Sequence, residues 1–475
     1  MKTVLRLTGA QHNDLREHLF PDDGWEAAAF AVCGRRAGAS RHILTVKEIV
    51  PIPYADCPVR TPVRVTWNSN VLLALLERAM KSGEAIVKFH SHRGDYPWFS
   101  ETDDLSDRDF FSSADGWTDT VHPHASCVML PDGKMFGRTG KSGGEFEPLS
   151  LIAVAGDDLL FWHAETKGDS EIEPEFALRH IQAFGDGTFN ILRRLSVAVV
   201  GCSGTGSPLI EQLARLGIGR LVLVDPDIIE HKNLNRIVNA AQADAERNEL
   251  KVEVLARAVR AMGTGVEVVP IADTLFNPEV ILTVAECDLA FGCMDSAESR
   301  QLLNRLAVFY NLPYIDLGVS LDADGAGSVE NAACSVHYLQ PGRSSLMSRG
   351  MFTPQDLYEE SLKRTNPDEY DKQLQEKYIR GVAVDRPAVI SLNMLAASVA
   401  VNELLARIHR FRDDENSRFA ATIISLTQGQ TYHRKEGEAC RNLSRHVGRG
   451  DVDPLIDSAG LEMPPARAKQ ERENQ

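Results

Sequence analysis

The chain has 475 residues, 43% of them hydrophobic and 25% charged, a balance that suits two or three packed domains and excludes a largely disordered chain. Its 51 basic and 67 acidic residues leave a formal charge of −16. That argues against general attraction to a phosphate backbone, so no nucleic-acid partner is expected. The longest apolar runs, such as Leu195–Cys202, fall short of the ~18 residues that a spanning helix needs, and no membrane partner is expected either. The eight cysteines are scattered with no C-x-x-C pair, and Met1–Phe20 is charged throughout with no apolar core. A reducing, cytoplasmic compartment follows as the expectation.

In chain order, the runs Ala28–Cys33, His42–Ile52, Ala85–Phe89 and Ala125–Leu130 read as strands, with an amphipathic helix over Val71–Met80. They predict a compact α+β domain over residues 1–151. Residues 152–187 read as a connector containing the acidic stretch Gly168–Glu175, a helical turn and a break at Gly185–Gly187. The rhythm then changes. Strands at Val197–Val200, Leu221–Val224, Val266–Pro270 and Leu289–Phe291 alternate with helices at Pro208–Leu216 and Leu250–Met262. That alternation predicts an α/β domain with a doubly wound parallel sheet over residues 188–445. Val389–Ile408 reads as a long helix, too polar at Ser391, Asn393 and Asn402 to span a membrane. Residues 446–475 read as a flexible tail, charged from about Pro464.

The first domain carries His90-Ser91-His92, then Ser100 and Asp103 after a short gap. Two histidines two apart at a strand end point to one side, and Asp103, opening a predicted helix over Asp103–Phe111, can close the site from the other flank. Two imidazoles and one carboxylate suit a zinc ion with an open fourth position, at which bound water ionises near pH ~7. Ser100 is placed to donate to an oxyanion. A base must come from elsewhere, and Glu26, just before an apolar strand, is the candidate. His122-Pro123-His124 repeats the H-x-H spacing without the serine and acid that follow the first, and reads as a loop.

The segment His90–Asp103 resembles the JAMM (JAB1/MPN/Mov34) metalloprotease motif, H-[ST]-H-x7-S-x2-D preceded by a distant glutamate. His90, Ser91, His92, Ser100 and Asp103 match it without a change of spacing, and the family's catalytic glutamate maps onto Glu26, with Glu48 as the weaker rival. The resemblance implies a zinc isopeptidase or peptidase that cuts after the C-terminal glycine of ubiquitin-like proteins.

In the second domain, Gly201-Cys202-Ser203-Gly204-Thr205-Gly206 lies between a strand and a helix, where glycines let phosphate approach backbone N–H groups. Asp225 ends the next strand and is placed to accept from ribose hydroxyls. A dinucleotide-dependent oxidoreductase would use both features. Asn233-Leu234-Asn235-Arg236, Lys251 and Asp295 favour adenylation instead. Arg236 and Lys251 can meet the charge that builds at the α-phosphate, and Asp295 can hold Mg²⁺.

These pieces resemble the ThiF/MoeB superfamily, the Rossmann-like adenylation domain of ubiquitin-activating enzymes. The matching positions are Gly201, Gly204, Gly206, Asp225, Asn233, Arg236, Lys251 and Asp295, with Arg179–Gly185 similar to the segment ahead of the family's first strand. The resemblance implies ATP and Mg²⁺ as cofactors and a ubiquitin-like or sulfur-carrier protein ending in glycine as partner. It also implies a homodimer, through an N-L-x-R arginine that reaches the nucleotide within a tight dimer. The fused architecture resembles bacterial ubiquitin-like modification systems.

Three departures stand out. Ser203 replaces a glycine of the family's loop, which a turn at negative φ tolerates. The family's structural zinc needs a C-x-x-C pair after Pro341-Gly342, where this chain has Ser345 and Ser348, and a second pair at Cys440, where Leu443 stands; that zinc is expected to be absent. Residues 335–439 hold no cysteine and Cys334 reads as a buried strand residue, so adenylation without an in-chain thioester is expected. The adenylate would then pass to a conjugating-enzyme-like partner or a sulfur donor. The alternatives left open are sulfur-carrier activation and a non-catalytic nucleotide-binding module.

Overall fold

The structure is a computed structural model that describes residues 2–38, 40–94, 96–140, 144–164, 175–382 and 388–464. The chain forms two units, the first comprising Met1–Glu171 with Val308–Asn311 and His446–Ala459, and the second the remainder. No helix among the described residues is long and apolar enough to cross a membrane.

The first unit runs β1 (Lys2–Thr8), α1 (Gly9–Leu19), β2 (Ala28–Ala37), β3 (Arg41–Pro51), the small hairpin β4 (Val59–Thr61) and β5 (Arg64–Thr66), and α2 (Asn70–Ser82). It continues through β6 (Ala85–Ser91), α3 (Glu101–Thr118), β7 (Ala125–Met129), β8 (Met135–Gly140), β9 (Phe146–Pro148), β10 (Leu151–Ala155) and β11 (Leu159–His163). Nine strands form one sheet in the order β11-β10-β1-β3-β2-β6-β7-β8-β9. The middle strand β2 is buried on both faces, which explains its unbroken apolar run. Ala29, Ala31 and Cys33 pack with Leu15 and Leu19 of α1. Ala28, Phe30 and Val32 pack with Leu76 of α2 and Phe110 and Phe111 of α3.

Two expectations need correction here. The connector was expected to begin at 152, yet β10 pairs in parallel with β1 and antiparallel with β11, so the sheet continues to His163. The acidic stretch from Gly168 lies outside the described residues apart from Glu175. The expected flexible tail is folded over 446–459: the Gly448 carbonyl accepts from Gly34 N–H at 3.1 Å and Thr45 Oγ1 at 2.9 Å, and Asp451 N–H reaches the Arg35 carbonyl at 2.7 Å. Gly448 and Gly450 sit at φ +65° and +64° with neighbouring backbone where a Cβ would stand. The charged end from 465 lies outside the described residues.

The second unit begins with α4 (Leu178–Leu192), which Gly185 interrupts at φ 77°. Then follow β12 (Ser196–Val200), α5 (Gly206–Arg215), β13 (Arg220–Val224), α6 (Gln242–Glu246), α7 (Lys251–Ala261), β14 (Glu267–Ile271), α8 (Pro278–Ala285) and β15 (Leu289–Gly292). The rest is α9 (Ala297–Phe309), β16 (Tyr314–Ala323), β17 (Val329–Leu339), α10 (Pro354–Thr365), α11 (Pro367–Gln375), α12 (Ile390–Ile408), β18 (Ala421–Ser425) and β19 (Gln430–Arg434). The sheet order is β14-β13-β12-β15-β16-β17-β18-β19. It is parallel from β14 to β16 and antiparallel beyond. The chain leaves β12 toward β13 and later returns to β15 on the other side, so a topological switch point lies between β12 and β15.

Candidate functional site

In the first unit, the register of β2 against β6 pairs Ala28 with His90. Opposed residues of an antiparallel pair share a face, and the face repeats every second residue. His90 and His92 therefore emerge on the α3 side, and Glu26, one step beyond the ladder, faces the same way. The capping box of Ser100 and Asp103 starts α3 there. The helix begins two residues earlier and ends seven later than the sequence suggests, because Ser100 is its N-cap.

His90, His92 and Asp103 converge, with one ligand atom of each within 4.8 Å of the others. The two Nε2 atoms are 3.2 Å apart, and the Asp103 oxygens lie 3.0 Å from His90 Nε2 and 3.3 Å from His92 Nε2. A tetrahedron with zinc–ligand bonds of about 2.0–2.1 Å has edges of about 3.3 Å, so the donor set and its spacing fit zinc. His92 Nδ1 lies 3.1 Å from the Tyr96 carbonyl, a contact that fixes the tautomer and leaves Nε2 for a metal. Burial holds His90 below the ordinary histidine range. Burial opposes the charge on Asp103, but its bonds to both histidines hold it well below the usual carboxylate range.

Glu26 is 7% exposed, and burial pushes its carboxyl up to about 7. The rival Glu48 is half-exposed and tied to Arg78 at 2.6 Å, opposite Val32 in the middle of β2 and away from the histidines. The Ser100 hydroxyl donates to Asp103 Oδ2 at 2.7 Å, so the expected oxyanion donor is engaged in holding the Asp103 carboxylate.

Sequence reasoning missed a buried network beneath these groups. Lys88 pairs with Asp107, and Arg138 Nε donates to the other Asp107 oxygen at 2.7 Å. Arg138 also reaches Asp104 at 2.6 Å, fixing α3 next to Asp103. The second H-x-H ends in a structural residue: His124 Nδ1 accepts from Ile86 N–H at 3.0 Å, and burial holds its pKa down at about 3.

In the second unit, the loop after β12 meets the loop after β15 at the switch point. Gly201 has φ +91°, and a Cβ on it would stand 2.8 Å from the Cys293 backbone. A Cβ on Gly206 would overlap the Gly201 carbonyl. Both glycines are therefore required by the turn, while Ser203 is absent from the positive-φ residues. Gly206 opens α5, whose first-turn N–H groups and dipole favour an anion.

Asp225 is held by Cys202 N–H at 2.7 Å and Asp227 N–H at 2.9 Å, and burial pushes its carboxyl up against the pull of Lys251. Lys251 Nζ rests on Asp227 at 2.7 Å and lies 3.6 Å from Asp225. Asn233 is buried and caps its own turn by accepting from Glu230 N–H at 3.0 Å, so its amide oxygen is committed to structure. Arg236 Cδ lies 3.2 Å from where a Gly204 Cβ would stand. It borders the glycine loop of its own chain, and its guanidinium donates to the Lys232 carbonyl and to Asn235 Oδ1. Asp295 is exposed just beyond β15. Asn393 of α12, read earlier only as a polar interruption, brings its amide against Gly204. That amide nitrogen is buried and unpartnered.

Comparison with known proteins gives the family. Over 124 residues, 26% of this chain and 27% of the relative, the sequence is 38% identical to "Adenylyltransferase and sulfurtransferase MOCS3" of Bos taurus. It is 35% identical over 119 residues, 25% of this chain and 43% of the relative, to "SAMP-activating enzyme E1" of Haloferax volcanii. The chain thus aligns with less than half of each of these curated relatives. E. coli MccB solved with ATP matches 57% of this chain and 74% of its own, at 21% identity and a TM-score of 0.43. The ThiF family pattern matches residues 177–442; it covers more than half of the chain, and the chain belongs to the ThiF family.

Proposed function

We propose that this protein activates the C-terminal glycine of a ubiquitin-like or sulfur-carrier protein with ATP, and that its first unit is a JAMM-type zinc peptidase or isopeptidase acting at the same kind of terminus. The activating half rests on the meeting of the glycine loop, Asp225, Lys251 and Arg236 at the switch point of a ThiF-family domain. An oxygen of the carrier's terminal carboxylate bonds to the α-phosphorus of ATP, the bond to the β-phosphate breaks, and pyrophosphate leaves. Loop N–H groups and the N-terminus of α5 take phosphate oxygens. Asp225, already oriented by two backbone donors, accepts from the ribose. Arg236 and Lys251 stabilise the charge that builds at phosphorus, and Asp295 would hold Mg²⁺.

The hydrolytic half rests on the convergence of His90, His92 and Asp103. Zinc bound there would supply Lewis-acid chemistry toward water and the scissile carbonyl. Glu26, buried on the same face as the two histidines, takes the proton from water. Ser100 donates to the carbonyl oxygen once its bond to Asp103 is released.

ATP–pyrophosphate exchange tests the activating half. Exchange that requires a carrier with a free terminal glycine, and that is lost in Asp295→Ala, is expected. Exchange that needs no carrier, or that survives this substitution, refutes it. A second reading, sulfur transfer, is favoured by one observation: of the eight cysteines only Cys57 and Cys293 are not buried, and Cys293 underlies the glycine loop. In that route the carrier's carboxyl carbon bonds to sulfur from a sulfur-donor partner while its bond to AMP breaks, and a thiocarboxylate detected by mass spectrometry identifies it, whereas transfer to a partner's thiol would leave a thioester.

A further inference from the structure

Where relatives would carry a structural zinc, this chain has a cavity. After β17, Ser345 and Ser348 close their turn on each other, with N–H to Oγ bonds of 2.8 Å and 3.1 Å. Cys440 N–H joins the same region at the Arg343 carbonyl, 3.0 Å away. With serines on one side and a single cysteine on the other, no metal site remains. The space between the two segments is about 630 Å³, within the range of small-molecule sites.

The floor of this cavity follows from strand register. Asp316, His337, Ala421 and Arg434 are direct partners across β16, β17, β18 and β19, so their side chains leave the sheet on one face. Ala421 is small and opens a gap between His337 and Arg434, whose backbones are about 10 Å apart at two strand spacings. His337 is 1% exposed, and neither ring nitrogen has a hydrogen-bond partner. Its neighbour Asp316 is committed to Arg300 at 3.0 Å and to the Tyr314 hydroxyl. Burial holds His337 down at about 4, so near neutral pH the ring offers one N–H donor.

The rim is basic although the chain is acidic. Arg434, Lys435 and Arg441 are exposed and line the cavity, with Glu438 as the opposing charge. Arg349 also lines it but is already satisfied by Ser344 Oγ, Glu436 and the Tyr338 and Ala420 carbonyls. A buried unpartnered donor under a rim of cations asks for an acceptor that carries negative charge.

We propose that this cavity binds a small oxyanion, a phosphate or carboxylate group whose oxygen accepts from His337 and whose charge is met by Arg434, Lys435 and Arg441. The test is NMR of the full-length protein labelled at histidine Cε1, with the His337 signal assigned by its loss in His337→Gln. Inorganic phosphate and succinate are titrated separately against chloride at matched ionic strength. A saturable shift of the His337 signal is expected, with the half-saturating concentration raised about 10-fold in Arg434→Ala. A response to phosphate alone assigns a phosphoryl ligand and one to succinate alone a carboxylate. A signal that neither moves, that chloride moves equally, or that responds identically in Arg434→Ala overturns the proposal.

Discussion

At the end of β6 the functional geometry is made by side chains, and at the end of β12 it is made by backbone. His90, His92 and Asp103 touch one another directly, held by a strand register on one flank and a helix cap on the other. The glycine loop is shaped instead by close backbone approach at Gly201 and Gly206, and its charged residues are parked on local partners such as Asp227. A side-chain site of the first kind is lost by removing one functional group. A backbone site of the second kind loses reactivity in parts, because the loop's N–H donors survive removal of any one of its charged side chains.

The largest effect is expected at the first site. Asp103→Ala should lower bound zinc, read by elemental analysis, and cleavage at a glycine-terminated ubiquitin-like domain by more than about 1,000-fold, since loss of a ligand exceeds the 10–100-fold typical of an outer-shell partner. Pyrophosphate exchange should be untouched. Full zinc occupancy in the variant would show that the cluster is not the ligand set.

Next, Lys251→Ala should reduce exchange by about 100-fold, the cost of one charge-stabilising donor, while ATP still binds to the loop by calorimetry. Abolished binding would place Lys251 in nucleotide capture and would narrow the contrast between the sites. Asp107→Ala, which leaves the buried Lys88 and Arg138 without their shared carboxylate, should destabilise the first unit by about 3 kcal/mol in denaturant unfolding.

The smallest effect concerns pH. His124 is neutral when folded, with its pKa held near 3 against 6.5, so below pH 6.5 the unfolded chain binds the extra proton. Stability is therefore full above about 6.5 and falls as pH drops, by about 2 kcal/mol at pH 5 for this group. Urea melts of the wild type and of His124→Asn at the two pH values measure it. Equal pH dependence in both would remove His124 as the cause.

The two motifs were legible because each is local: H-x-H with S-x-x-D spans one strand end and one helix cap, and the glycine loop spans one turn. Glu26 was legible as a carboxylate before a strand, but only the β2–β6 register puts it on the histidine face. The Lys88–Asp107–Arg138 network was invisible because its members sit on different elements and pair by tertiary packing. Asn393 was hidden for the same reason, nearly two hundred residues from the loop it touches. Strand β10 was read as connector because its partner β1 lies at the other end of the unit. The 446–459 segment has no apolar periodicity to detect, since backbone hydrogen bonds at Gly448 and Asp451 hold it.

The central claim is that one chain carries both chemistries for one kind of terminus. The direct measurement uses a ubiquitin-like carrier extended by a few residues beyond its terminal glycine, supplied with ATP, Mg²⁺ and zinc-loaded protein. The wild type should trim it and then support pyrophosphate exchange, whereas Asp103→Ala should support exchange only with carrier trimmed beforehand. Exchange on the extended carrier by Asp103→Ala, or none by the wild type on either form, would contradict the account.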